Sequence, residues 1–103
     1  MSLAEPGNVR EDLDGVDNDA NRVVGAIPKA VLEHLAKSIV DNPDSVFVDI
    51  EESGGGVTLK LNVAPDDMGK IIGKRGRIAT AVRTVVRAAG AKEGIDARVD
   101  IVD

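Results

Sequence analysis

From Pro28 to Val40 the apolar side chains fall at Val31, Leu32, Leu35, Ile39 and Val40, the spacing of a helix with one packed face. Pro28 suits its first position, where a missing N–H costs nothing, and Asp41-Asn42-Pro43 supplies the stop. The period then changes from about 3.6 to two. Val46, Val48 and Ile50 alternate with Phe47, Asp49 and Glu51, and Val57, Leu59, Leu61 and Val63 alternate with Thr58, Lys60 and Asn62. Two half-apolar strands separated by Ser53-Gly54-Gly55-Gly56 predict an antiparallel hairpin. Pro65-Asp66-Asp67 offers helix-start chemistry, both aspartates reading as caps, and Met68, Ile71 and Ile72 give a short helix one apolar stripe before Gly73 interrupts it. A further helix is predicted from Arg77 to about Ala89. Its packed side carries Ile78, Val82, Val85 and Ala89, its polar side Thr80, Arg83, Thr84 and Arg87, and Gly90 and Gly94 end it. Ile95, Ala97, Val99 and Ile101 then alternate with Asp96, Arg98 and Asp100 as a last strand.

The order helix, strand, strand, helix, turn, helix, strand predicts an α+β fold. Three helices would cover one face of a three-stranded sheet, with a helical connection long enough to make the second and third strands parallel neighbours. A chain of 103 residues supports one such domain and no second.

Charge changes this picture through its location. The total is -5, but residues 1–27 hold six carboxylates against two cations, so they carry -4 of it. That stretch is rich in Asp, Asn, Gly and Glu, and its first 22 residues show neither apolar period, so 1–27 reads as an acidic, disordered extension and 28–103 as the folded domain. Within the domain, Met68 to Lys92 contains Lys70, Lys74, Arg75, Arg77, Arg83, Arg87 and Lys92 and no acidic residue. A local basic surface of this kind attracts polyanions despite an acidic total.

The two glycines that bracket two cations, in Ile71-Ile72-Gly73-Lys74-Arg75-Gly76-Arg77-Ile78, lie between the two predicted helices. Gly73 and Gly76 let main chain approach a sugar-phosphate strand, Lys74 and Arg75 point outward, and the following helix begins with N–H groups that favour an anion. A nucleotide-binding P-loop over Gly69 to Lys74 is excluded, since Gly69 and Gly73 stand one residue too close and the lysine is followed by Arg75 where Ser or Thr is required. With no cysteine, His34 as the one histidine and no Gly-x-Ser-x-Gly, there is no recognisable nucleophile or metal site. No apolar run approaches the roughly 20 residues that span a bilayer. These readings predict a cytoplasmic protein without a cofactor.

The Ile71-Ile72-Gly73-Lys74-Arg75-Gly76 run, set between two short helices in this element order, resembles the GXXG loop of a type II KH domain. Leu35 to Pro43 and Pro65 to Asp67 extend the resemblance to the KhpA family of small bacterial single-KH proteins, over residues 28–103. The acidic extension departs from the short members of that family. The resemblance implies a non-catalytic single-stranded RNA-binding protein, an RNA chaperone or post-transcriptional regulator, that holds about four nucleotides in a groove. Lys74 and Arg75 would pair with phosphates, Lys70, Arg77 and Arg83 would flank them, and Ile72 or Ile71 would floor the groove while the other joins the core. It also implies a homodimer, or a heterodimer with a KhpB-like KH protein. The lack of Tyr and Trp predicts weak base discrimination, and a KH-fold protein-interaction or dimerisation module with secondary or no RNA binding is the alternative.

Overall fold

The structure, a computed structural model, describes residues 24–102; residues 1–23 of the acidic extension lie outside the described residues. Helix α1 spans Ala26–Ile39, β1 Phe47–Ser53, β2 Gly56–Asn62, α2 Met68–Ile72, α3 Arg77–Ala91 and β3 Asp96–Ile101. The order and the α+β layering are those predicted from the apolar periods. The sheet order is β1-β2-β3, with β1 antiparallel and β3 parallel to β2. Phe47 pairs with Asn62 and Ser53 with Gly56, across a two-residue turn whose glycines have φ of 53° and 83°. Positive φ at both central positions suits the twist of a tight hairpin. Gly56 pairs with Asp96 and Leu61 with Ile101, so α2 and α3 together form the crossover between parallel neighbours.

The core lies between the sheet and the helices. Leu32 and Ala36 of α1, Val48 of β1, Val57, Leu59 and Leu61 of β2, Ile71 of α2, Val82 and Val86 of α3, and Ala97 of β3 are all buried. The opposite sheet face, with Phe47, Asp49, Glu51, Thr58, Lys60, Asn62, Asp96, Arg98 and Asp100, is left to solvent or half-covered.

Three local expectations need correction. Helix α1 starts at Ala26, so Pro28 is its third residue; no N–H of a first turn has an intrahelical acceptor, and proline fits there as well as at the first position. Helix α3 buries Ala79, Val82, Val86 and Gly90, while Ile78 and Val85 stay 38 and 47% exposed. Its packed face is thus turned by roughly a quarter of the helix circumference from the expected one. Gly90 does not end the helix: a side chain there would come within 2.7 Å of the Ala97 Cβ, so the small residue lets α3 settle onto β3. Gly94, with φ 71°, makes the turn beyond it.

Candidate nucleic-acid interface

Helix α2 is a single turn, too short to be stable by itself. It is held from below and from the side. Ile71 is fully buried in the core, whereas Ile72, one residue on, is 36% exposed beside the loop. Only Ile72 of the two is therefore available to a ligand.

From the side, Asp67 holds the turn that follows α1. Its carboxylate accepts hydrogen bonds from the backbone N–H of Asp41 at 3.1 Å and of Asn42 at 3.0 Å, and from the Asn42 side-chain amide at 3.0 Å. Asp67 makes no side-chain hydrogen bond to the start of α2 and is only 1% exposed. Asp67, expected to cap the helix, is instead a tie between two distant segments. Burial alone would raise its carboxyl, but the hydrogen bonds from the Asn42 side chain and from the backbone of Asp41 and Asn42, aided by the Lys70 cation, hold it below the usual carboxylate range. A lowered pKa contributes stability above the unfolded value, about 3.9, and loses it as pH falls through the folded value. Thermal melts between pH 7 and pH 2 should show the wild type losing stability at the acid end. Asp67→Asn should melt roughly 10 °C lower at pH 7 and decline less on acidification; parallel pH profiles for the two proteins would contradict this account.

The loop itself is built from three departures from helical geometry within four residues. Gly73 has φ 74° and ψ 176°, Arg75 has φ 56° and ψ 27°, and Gly76 has φ 73° and ψ 12°. The two glycines are required for different reasons. A Cβ at Gly73 would lie 2.2 Å from Ile78 Cγ1 and 2.7 Å from Ile78 Cβ, whereas a Cβ at Gly76 would meet nothing within 4 Å. Gly73 lets the loop fold against the first turn of α3, and Gly76 leaves its outer surface bare. Arg75 is the only described non-glycine residue with positive φ. Lys74, Arg75 and Arg77 line an open hollow of about 290 Å³ at the start of α3.

The basic window is less uniform in space than along the chain. Lys70 Nζ lies 3.0 Å from Asp41 Oδ2, so the fold brings a carboxylate into the window from outside it. Arg83 is half-buried and its Nε donates to the Val99 carbonyl of β3 at 3.3 Å, which ties the guanidinium to the sheet edge. Arg87 is exposed. Among the described residues, Lys74, Arg75 and Arg77 form no ion pair with a carboxylate. Sequence reasoning missed Asp41 and Asp67 because their partners lie some 25 to 30 residues away.

Leu35 and Ile39 of α1 and Ile78, Ala81, Val82 and Val85 of α3 line an apolar groove of about 180 Å³. It lies on the flank of α3 opposite Arg83. No helix among the described residues is long and apolar enough to cross a membrane, and no group of three or more His, Asp or Glu among them could hold a metal ion.

A sequence model described as KhpA/KhpB, KH domain, matches residues 29–101. The RNA-binding protein KhpA of Halalkalibacterium halodurans is 48% identical over 75 residues, covering 73% of this chain and 99% of that protein. The proteins of the same name from Mycobacterium bovis and Streptomyces coelicolor are 50% identical over 80 residues and 54% identical over 72 residues. Those alignments cover 78 and 70% of this chain and 96 and 87% of the relatives. The loop, the crossover that carries it and these relatives agree: the chain belongs to the KhpA/KhpB family of KH-domain proteins.

Proposed function

We propose that this protein binds single-stranded RNA without catalysis, the Gly73–Gly76 loop gripping the backbone of about four nucleotides. The observation that carries the reading is the convergence of Lys74, Arg75 and Arg77 on one open hollow, with no carboxylate paired to them among the described residues. Lys74 and Arg75 take phosphates, Lys70, Arg77 and Arg83 flank the strand, and Ile72 supplies an aliphatic floor. Phe47, the one aromatic residue, is 62% exposed but belongs to the solvent face of the sheet, away from the helices. Bases therefore find no stacking platform at the loop, and the protein reads sequence weakly, as suits a cytoplasmic RNA chaperone or post-transcriptional regulator.

One such groove makes few contacts, and joining two would raise avidity by about 10²–10⁴. The apolar groove between α1 and α3 favours a pair, either of two copies or with a KhpB-like KH protein, because Ile78 and Val85 are large, exposed and contiguous there. The same groove would serve the alternative, a protein-contact module whose RNA contact is secondary. Sedimentation of the chain with a labelled unstructured oligoribonucleotide separates these readings. The label should travel with a species of two copies at low salt and be released as salt rises. A free label at low salt refutes RNA binding, and a species of one copy refutes the homodimer.

A further inference from the structure

The cations at the loop differ in one respect. Among the described residues, Lys70 alone of Lys70, Lys74, Arg75 and Arg77 has a carboxylate within ion-pair distance, Asp41 Oδ2 at 3.0 Å. That carboxylate does not wander there on a flexible loop. The backbone N–H groups of Asp41 and Asn42 and the Asn42 side chain are held by the buried Asp67. Asp67 stands three residues before Lys70, so one helical turn sets the two side chains on the same face of α2, toward the tethered turn. The ion pair itself is open to solvent, with the Lys70 and Asp41 side chains 47 and 72% exposed. A contact so exposed stabilises the fold very little, and a phosphate can exchange into it.

We propose that Asp41 is a built-in attenuator of RNA binding: clamped by Asp67, it presents a carboxylate that neutralises Lys70 at the edge of the loop. This rests on the RNA-binding reading above. A phosphate reaching Lys70 has to displace Asp41 and remain beside its charge. Asparagine at position 41 would keep the shape and the backbone hydrogen bonds to Asp67 while removing the charge, and would release Lys70 to the strand.

The test is fluorescence anisotropy of a labelled decauridylate with the full chain, in four forms: wild type, D41N, K70Q and D41N/K70Q, each over a range of KCl concentrations. D41N should tighten binding by about two- to fivefold at low salt, the scale of an exposed ion pair. It should also steepen the dependence of log affinity on log salt by about 0.7, the increment for one added phosphate contact on a single strand. With K70Q already present, the same substitution should change affinity by less than about 1.5-fold, because the two residues act as one unit. Equal tightening in both backgrounds would overturn the proposal in favour of a diffuse field effect, and no tightening in the Lys70 background would overturn it outright. A wild type that does not bind the oligonucleotide would remove the RNA-binding reading and this inference together. Binding by the wild type without the D41N effect removes the inference alone.

Discussion

Replacing Lys74 and Arg75 together by aspartate is expected to weaken binding of unstructured RNA by roughly a hundredfold or more, since two charge-assisted contacts become two repulsions. The salt dependence should flatten by about 1.4, two phosphates at 0.7 each. The fold should not suffer. Both side chains are exposed, and neither has a hydrogen-bonding partner among the described residues. Arg75 sits at φ 56° and ψ 27°, a left-handed conformation that aspartate tolerates better than most residues. An acidic side chain at position 74 stands just before α3, where the helix end favours negative charge. Anisotropy titrations paired with thermal melts check both halves. Retained affinity would refute the loop as the binding element, and a collapsed melt would mean that these side chains hold the loop together.

Gly73→Ala is expected to be the most damaging single methyl in the loop. At φ 74° and ψ 176° the backbone occupies a region nearly reserved for glycine, which costs an alanine about 1–3 kcal/mol. The added Cβ would also overlap Ile78 Cγ1 at 2.2 Å and approach the Ile78 backbone nitrogen at 3.0 Å, so the first turn of α3 must shift. Overpacking of that kind adds about 1–3 kcal/mol. The sum, about 2–6 kcal/mol, is a large share of what a small domain has. Gly76→Ala pays only for its left-handed backbone, about 1–2 kcal/mol, because a Cβ there meets nothing. Chemical denaturation of the two variants should therefore separate them clearly. Equal losses would mean that the contact with Ile78 yields without cost.

Much of this architecture is legible in the chain, for reasons that differ between elements. A strand has only two faces, so the alternation from Val46 to Ile50, Val57 to Val63 and Ile95 to Ile101 identifies both the strands and their buried sides. A helix can rotate continuously, and the bulkiest apolar residues need not be the ones that pack. In α3 the buried side carries the small residues Ala79 and Gly90, the latter permitting close approach to β3, while Ile78 and Val85 remain outside. Hydrophobicity summed along the sequence cannot see that preference for small size. The loop is legible because its glycines and cations are contiguous, so no tertiary contact is needed to assemble them. Lys70 is the exception. Its counter-charge arrives from the far end of α1, through a buried aspartate whose local sequence reads as a helix cap.

Because helices cover only one side of the three strands, the molecule has a front and a back of opposite electrical character. Asp49, Glu51, Asp96 and Asp100 outnumber Lys60 and Arg98 on the bare side, and the latter two are already engaged by Glu51 and Asp96. A polyanion drifting toward that side is turned away, and one drifting toward the glycine loop is drawn in. On the proposed reading, a strand held at the loop would lie along one flank of the domain and would not be wrapped around it.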